Sequence, residues 1–440
     1  MALHDQGQEV PSAVRKLQLS GKKGVLLKNT VMLYILTFST YVMSFIVVPY
    51  ETRVLQPERY GLLGVAASIM VYFQLVIDFG FILSATEEVS AFREDRKRLS
   101  RIFTAVTLNK LLLTAVSGAV LLALCRLVPR WTEHTLFFGL FFLATAVNSL
   151  IPDYLYRGIE QMGAITLRTV LIKLFFTVMI FLLLRGPEDY YLVPLLNIIG
   201  NTAALLGVYI HLFRRLGIRF VRCSPREVWR NLRRSMTFFL SRIATTAYTA
   251  ANTIILDILS AGTVTAFYVG ADKLVTTAKN GLSPVSDSLY PYMTRNRDFR
   301  LVKRVLMVME PVILLGCAVV FIWAEPLCIW FFGPEYGPVA PVLRAMLPVV
   351  AVILPSYILG FPMLGAMGLS RYANYSVVFG SCLHIFNLVV LYFTGRLSMV
   401  TLGALVSVAE TAILLFRIAV IVRYRDRLKN PKEENQEWDS

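Results

Sequence analysis

The middle of the chain reads LFRRLGIRFVRCSPREVWRNLRR over residues 212–234, a stretch that contains eight arginines. On both sides of it, windows of roughly 20 mostly apolar residues recur, the length that a helix needs to cross a bilayer core about 30 Å thick. Six such windows precede the basic stretch and six follow it. The stretch is therefore predicted to connect two halves of a membrane protein.

These windows predict an all-α polytopic membrane protein with twelve transmembrane helices in two six-helix lobes. The windows cover residues 28–50, 61–84, 102–126, 135–156, 165–185, 191–213, 234–257, 262–292, 305–324, 339–366, 372–394 and 398–422. The seventh and eighth windows are the least apolar. The predicted divisions are an amino-terminal tail (1–27), an N-lobe (28–215), a basic connector (216–233), a C-lobe (234–424) and a carboxy-terminal tail (425–440).

Composition and charge agree with a membrane protein. Apolar residues make up 56% of the 440 residues, charged residues 16%, and the net charge is +16, whereas soluble domains are roughly 45–50% apolar and about 25% charged. The predicted cytoplasmic segments hold 31 lysines and arginines, and the outer segments hold 6. This bias follows the positive-inside rule and predicts that both termini are cytoplasmic. It also favours basic membrane loops over a nucleic-acid-binding surface as the source of the charge.

The sequence predicts neither a metal site, a cofactor nor an enzyme. Its five cysteines form no Cys-x-x-Cys pair, and its four histidines are scattered along the chain. A P-loop and a Gly-x-Ser-x-Gly nucleophile motif are both missing. All predicted outer loops are short, which leaves no room there for a catalytic domain.

Polar side chains inside a bilayer cost free energy, so they normally face a bundle interior or water. In the eighth window such residues recur at intervals of 4, 3, 4 and 4 positions, which places them on one stripe of a helix. The stripe consists of Asp272, Thr276, Lys279, Ser283 and Asp287, with Lys273 beside it. Further polar faces are Ser235, Arg242, Thr245, Thr249 and Asn252 in the seventh window, Tyr34, Tyr41 and Ser44 in the first, and Gln74 and Asp78 in the second.

These faces predict a water-filled cavity between the lobes; the alternative is hydrogen bonding that only holds the bundle together. Arginine and lysine bind phosphate and carboxylate groups through charge-assisted hydrogen bonds. The predicted ligand-binding residues are Arg53 near the outer gate, Arg242, Asn252, Lys273 and Lys279. The predicted carriers of counter-charge or of a coupling ion are Asp78, Asp272 and Asp287.

Other charged residues in the windows leave more than one interpretation. Lys110, Lys173 and Arg417 lie close enough to the window ends for their side chains to reach the membrane interface by snorkelling. Glu410 is either a cavity carboxylate or a paired structural group.

Several short motifs resemble those of Wzx-type polysaccharide flippases, and they keep the order and spacing of that family over about residues 28–424. They are PYETRVL (49–55), PERYG (57–61), DFGF (78–81), SAT (84–86), LSRIF (99–103), FLSR (239–242), YP (290–291), FGPEY (332–336) and VLR (342–344). One position departs from the family pattern: Gln56 stands in a turn where the family commonly has glycine.

The resemblance implies a MATE-like fold of the MOP superfamily, whose two lobes rock about a central cavity in alternating access. It implies transport of an undecaprenyl-diphosphate-linked oligosaccharide to the periplasmic leaflet of the bacterial inner membrane, in exchange for protons or sodium, for O-antigen or a related surface polysaccharide. The implied partners are membrane lipids, a polysaccharide polymerase and a chain-length regulator. Two alternatives are a MATE-type exporter of organic cations, which would need an acidic site, and a membrane polymerase or glycosyltransferase.

Overall fold

The computed structural model describes residues 12–260 and 262–425, and in this part of the chain every regular element is helical. The α-helices are α1 Ser12–Asp78, α2 Phe81–Ala91, α3 Arg96–Leu127, α4 Pro129–Thr132, α5 Thr135–Ser149, α6 Asp153–Gly158, α7 Met162–Leu183, α8 Leu192–His211, α9 Pro225–Leu259, α10 Gly262–Asn296, α11 Phe299–Ile322, α12 Ala324–Phe332, α13 Val339–Ile358, α14 Ser370–Phe393 and α15 Met399–Arg423. Two π-helical turns, Leu212–Leu216 and Leu359–Leu364, extend α8 and α13.

Each of the twelve predicted windows lies mostly on helical backbone, with short breaks at residues 79–80 in the second window and 150–152 in the fourth. Nine stretches of the described residues are long and apolar enough to cross a membrane. The first of them, Val42–Ala91, is long enough to contain the turn between the first and second windows. Helix α10 is not among the nine, because its polar stripe lowers the mean hydropathy, and of α9 the residues Ala250–Leu259 form a shorter apolar stretch. The chain is thus an all-α, multi-pass membrane protein, as the composition predicted.

The predicted connector is only partly a loop. Residues from Pro225 onward already belong to α9, so this helix begins nine positions before the seventh window. A capping box explains the early start: the Ser224 hydroxyl accepts from the Glu227 backbone N–H at 3.3 Å, and the Ser224 N–H donates to the Glu227 carboxylate at 2.9 Å. Pro225 occupies the first helical position, where its missing N–H costs nothing.

Helix α1 breaks at Gln56, between the first two windows. This residue has φ 61° and ψ 166°, a backbone conformation that is nearly restricted to glycine. The helix restarts at Pro57, whose ring fixes φ in the helical range. The turn where the sequence departs from the family pattern is therefore a strained position.

Replacing Gln56 by glycine is expected to raise the free energy of unfolding by roughly 1 kcal/mol. The strain of a side chain in this region is about 1–3 kcal/mol, and the greater flexibility of an unfolded glycine offsets part of the gain. Denaturant unfolding in detergent measures the change. Gln161, which has φ −98°, provides the matched control. An equal gain in Gln161→Gly would show that strain at Gln56 is not the cause.

Buried apolar side chains form four clusters. Residues 47–218 build two of them and residues 256–421 build the other two, with Val48 and Tyr60 packing in the second set. We use N-lobe for the helices α1–α8 and C-lobe for α9–α15. The beginning of α9 packs against the N-lobe, because Leu232 and Phe239 contact an N-lobe cluster.

Two basic side chains that the sequence allowed to snorkel are instead buried within the lobes. Lys110 donates to Asp78 Oδ1 at 2.9 Å and to the Ser149 carbonyl oxygen. Arg417 donates to Ser376 Oγ at 2.9 Å and to the Ser356 carbonyl, next to the bend in the chain after α13. The prediction that these side chains extend to the membrane interface is therefore wrong for both. Each donates its N–H groups to acceptors inside its own lobe.

Candidate functional site

A cavity of about 310 Å³ lies between the two lobes. It is bounded by α1, α5, α7 and α8 of the N-lobe and by α10 of the C-lobe. Its polar lining consists of Ser44, Glu51, Tyr60, Lys173, Thr177, Asn197 and Lys273. Val47, Val48, Phe141 and Phe176 form much of its apolar wall. The cavity therefore combines a few charged groups with a largely apolar surround at the interface of the two halves.

Three charged side chains dominate this cavity, and they come from three different helices. Glu51 belongs to α1, Lys173 to α7 and Lys273 to α10. The charge of Lys273 acts on both Glu51 and Lys173, so the three groups lie within electrostatic range of one another. Neither lysine forms an ion pair within 4.0 Å with a carboxylate of the described residues. Two ammonium groups from opposite lobes are therefore available to an anion.

Lys173 is the component of this site that the sequence interpretation missed. Snorkelling was one reading of its position in the fifth window, but in the structure it lines the cavity. Glu51 was visible in the sequence only as part of a motif. Both residues do lie on polar faces: Lys173 shares one with Thr169 and Thr177, and Glu51 comes seven positions after Ser44. The periodicity was therefore a usable signal, but it does not reveal which neighbouring helix such a face meets.

Two more charged residues of α10 lie on the polar stripe near Lys273: Asp272 directly before it and Lys279 six positions after it. The charges of Lys279 and Lys273 both act on Asp272. Lys279 donates to Glu410 Oε1 of α15 at 2.6 Å, so its charge is already paired inside the C-lobe. Six residues separate it from Lys273, about 9 Å along the helix axis. Of the two predicted lysines, Lys273 therefore belongs to the cavity and Lys279 to a C-lobe ion pair beside it.

Asn252 does not line the cavity in this conformation. Its side chain is fully buried, with Nδ2 donating to Tyr268 Oη at 2.9 Å and Oδ1 lying 2.9 Å from His384 Nε2. All three residues belong to the C-lobe. The expectation that Asn252 contacts a ligand is corrected accordingly, because its polar atoms are occupied by this internal network.

The other predicted residues are dispersed. Asp78 pairs with Lys110 inside the N-lobe. Arg242 is half-buried on α9, and Asp287 is exposed on α10, 14 positions and about 21 Å beyond Lys273. The side chains of Tyr34, Tyr41, Thr245 and Thr249 fall outside the described residues. The structure thus brings together only part of the predicted set.

Hydrogen bonds join the two lobes at the ends that the sequence predicts to face outward. Arg53, predicted near the outer gate, donates to the Trp330 carbonyl oxygen of α12. The neighbouring Thr52 hydroxyl donates to the Phe332 carbonyl at 2.8 Å, and Tyr336 donates back to the Thr52 carbonyl at 3.4 Å. These bonds connect the turn after the first window with the segment after the ninth, and they hold the two lobes together at this end.

A second outer contact centres on Asp257, which is only 1% exposed. Trp131 Nε1 donates to Asp257 Oδ2 at 2.9 Å, and Arg130 Nη1 lies 3.2 Å from Oδ1. The same guanidinium donates to the Ser260 carbonyl at 2.8 Å. Because Arg130 and Trp131 belong to α4 and Asp257 to α9, these contacts also join the two lobes. The sequence pattern did not predict them, because the partners are more than 120 positions apart.

An almost wholly apolar groove of about 530 Å³ lies beside the cavity. Phe45 of α1 forms one edge, and side chains of α10, α11, α12 and α13 form the rest. Groove and cavity lie on neighbouring faces of α1 and α10, because Phe45 follows the cavity residue Ser44 and Leu274 follows Lys273. A molecule with an anionic group and a long apolar chain could therefore occupy both at once.

The chain is similar in sequence to several known proteins. The sequence pattern of the family described as "Polysaccharide biosynthesis protein" matches residues 26–297. Two relatives described as O-antigen transporters are each 25% identical: one from Escherichia coli K12 over 76% of this chain and 82% of its own length, and one from Shigella dysenteriae over 90% and 99%.

Among solved structures, the fold is similar to the lipid II flippase MurJ in an inward closed conformation, with a TM-score of 0.64 and 12% identity over 92% of this chain and 90% of that one. It is also similar to an inward-facing multidrug resistance MATE transporter of the MOP superfamily, with a TM-score of 0.65 and 13% identity over 92% and 99%. These likenesses confirm the predicted MATE-like fold.

Proposed function

Since the chain belongs to the polysaccharide biosynthesis protein family, we propose that it flips a lipid-diphosphate-linked oligosaccharide from the cytoplasmic to the periplasmic leaflet of the bacterial inner membrane. Undecaprenyl diphosphate is the carrier that the family resemblance implies. The observation that carries the proposal is the pair Lys173 and Lys273, two lysines from opposite lobes that face one intramembrane cavity. The O-antigen relatives support the same class of cargo.

The diphosphate is the part of such a cargo that the cavity suits. Two lysines and one glutamate give the three central groups a net positive charge, and a poorly hydrated site strengthens their attraction for phosphate. Without cargo, Glu51 offsets part of the lysine charge. When a diphosphate binds, its charge takes over from Glu51 as the main negative charge that acts on both lysines. Glu51 and Asp272 are then the carboxylates of this site that could accept a coupling proton.

The position of the cargo between the lobes suggests how alternating access would work. A diphosphate held by Lys173 and Lys273 would link the two lobes at the cavity, while the outer ends stay joined through Arg53 and Asp257. The outer hydrogen bonds then have to break before the cargo can leave toward the periplasm. This order of events moves the polar group across the membrane without an aqueous pore.

The groove next to the cavity suits the polyprenyl tail. Burial of apolar surface and the neighbouring positions of groove and cavity let the tail stay within the membrane while the diphosphate reaches Lys273. Gly281 and Gly316 form part of the groove floor, and a Cβ added at either would meet no atom within 4 Å. The groove therefore has room for a chain at these two positions.

Filling the groove is expected to slow transport. Gly281→Trp should reduce the transport rate about tenfold, because the indole occupies the space of the tail; a loss of about 1.4 kcal/mol in binding gives this factor. Gly207→Trp in α8 is the matched control, since that glycine also faces open space and lies outside the groove. Equal transport by both variants in proteoliposomes would exclude the groove as the tail site.

The same geometry argues against the two alternatives. An organic cation would be repelled by two lysines that a single glutamate only partly offsets. An enzyme acting on lipid-linked sugars would need acid–base groups on both sides of the glycosidic bond that reacts. The cavity presents one carboxylate and two lysines. We therefore propose transport without covalent chemistry, with both termini in the cytoplasm and with a polymerase and a chain-length regulator as partners downstream.

Reconstitution tests the proposal directly. Proteoliposomes that contain labelled lipid-diphosphate oligosaccharide in both leaflets are treated with an impermeant glycosidase. With an active flippase, almost all of the label becomes accessible, whereas empty liposomes expose about half of it. Export of organic cations by the same proteoliposomes, with half of the label still protected, would support the MATE-type alternative instead. Chain growth of the glycan would support the polymerase.

A further inference from the structure

A second polar cavity, of about 480 Å³, opens on the cytoplasmic side between α3, α9 and the connector. Its basic lining residues are Lys97, Arg98, Arg101, Arg230 and Arg234, and its acidic ones are Glu88, Asp95 and Glu227. The cavity is separate from the one that contains Lys173 and Lys273. We propose that this pocket binds the phosphate headgroup of an anionic phospholipid of the cytoplasmic leaflet and thereby fastens α9 to the N-lobe.

The acidic residues of the pocket are already engaged. Asp95 caps α3, where its Oδ1 accepts from the Arg98 backbone N–H at 3.0 Å, and Glu227 belongs to the capping box of α9. Glu88 lies 3.7 Å from Arg234. These carboxylates are therefore held in place by local partners, and five basic side chains against three acidic ones leave the pocket with a net positive charge.

Two arginines of the pocket are the candidate phosphate ligands. Arg101 on α3 and Arg230 on α9 line the pocket, and no carboxylate in the described part of the chain lies within 4.0 Å of either guanidinium. Guanidinium groups bind phosphate in a bidentate manner, which an isolated lysine cannot do. A phosphate between these arginines would satisfy both and would replace their mutual repulsion with two attractions.

The position along the membrane normal fits a phospholipid headgroup. Arg101 directly precedes the third apolar window, so it lies at the edge of the hydrocarbon core. Trp229 is 65% exposed beside Arg230, and Phe220 of the connector is 51% exposed. Exposed aromatic side chains are typical of the membrane–water interface, and basic pockets between membrane helices at this level bind anionic headgroups.

The consequence for the molecule is a lipid-dependent contact between α9 and the N-lobe. Asn109 of α3 already donates to the Val228 carbonyl of α9 at 3.0 Å, and Arg234 lies 3.2 Å from Glu87 of α2. A bound phosphate adds a further connection at the same end. Anionic lipid should therefore stabilise this contact whatever cargo the central cavity carries.

The test compares lipid binding by the full-length protein in nanodiscs and by native mass spectrometry. Dioleoylphosphatidylglycerol should bind at least tenfold more tightly than dioleoylphosphatidylcholine. In Arg101→Gln/Arg230→Gln this preference should fall by at least tenfold. Arg226→Gln/Arg233→Gln is the matched control, because it removes the same charge from exposed positions of α9 outside the pocket, and it should keep the preference.

Two further measurements make the outcome decisive. Arg101→Lys/Arg230→Lys keeps the charge and should retain part of the preference, which separates lost binding from a damaged fold. Inorganic phosphate and diphosphate are added to the protein in a phosphatidylcholine nanodisc. Stabilisation by either ion equal to that by phosphatidylglycerol would overturn the phospholipid assignment. An unchanged lipid preference in the Arg101→Gln/Arg230→Gln variant would overturn the site itself.

Discussion

Lys173→Gln/Lys273→Gln is expected to lose at least about 100-fold in transport rate in proteoliposomes. A hydrogen bond to a charged group contributes about 1.5–3 kcal/mol, so losing two of them costs at least about 3 kcal/mol, and each 1.4 kcal/mol corresponds to a factor of ten. Both lysines line the central cavity. The fold should survive, because neither side chain is paired with a carboxylate of the described residues.

The control removes the same charge elsewhere. Lys303 and Arg304 are exposed in the first turns of α11, and Lys303→Gln/Arg304→Gln should transport normally. Single substitutions should each give intermediate rates, since one ammonium group remains. Normal transport by the cavity double variant, in protein that unfolds at the usual temperature, would remove the two lysines from the mechanism and leave the groove as the only candidate contact.

Gly61→Val is expected to trap the transporter with its outer side open and to reduce transport at least about fivefold. A Cβ added at Gly61 would lie 2.1 Å from the carbonyl oxygen of Gly262, where helices of the two lobes meet. That neighbour is backbone and cannot move aside as a flexible side chain could. Overpacking of this kind costs about 1–3 kcal/mol, which shifts an equilibrium between two conformations by about 5- to 150-fold.

Cysteine accessibility reports the shift. Thr52 is 1% exposed in the closed outer contact, so in a variant that lacks the five native cysteines, Thr52→Cys should react slowly with an impermeant maleimide. Adding Gly61→Val should accelerate labelling from the outside. Gly163→Val is the control, since a Cβ there meets no atom within 4 Å. Slow labelling and normal transport in both glycine variants would show that close contact at Gly61 is not needed.

The sequence correctly predicted where along the chain most of the apolar helices lie. Windows of apolar residues and the distribution of basic residues depend on local composition, and the bilayer imposes the same length on every helix. The break in α1 was also visible as a departure from the family pattern at Gln56. The start of α9 was missed, because a capping box at Ser224 extends the helix into a segment whose charge suggested a loop.

The site was predicted only in part. The stripe on α10 correctly indicated a charged face, and Lys273 does line a cavity. Lys279, on the same stripe, is paired with Glu410, and Asn252 is enclosed by Tyr268 and His384. Periodicity states which residues share a face of one helix, but it does not state which side chain of another helix that face meets.

What the sequence by itself determined is the all-α, membrane-spanning class of the protein and the approximate positions of its apolar helices, because these follow from the cost of placing polar backbone and charge in hydrocarbon. Only the tertiary structure decided which charges remain available to a ligand. Lys110, Lys279 and Arg417 are neutralised or hydrogen-bonded by residues at least 30 positions away, whereas Lys173 and Lys273 are brought together from opposite lobes. Such pairing depends on how the helices pack, a property that no local stretch of sequence contains.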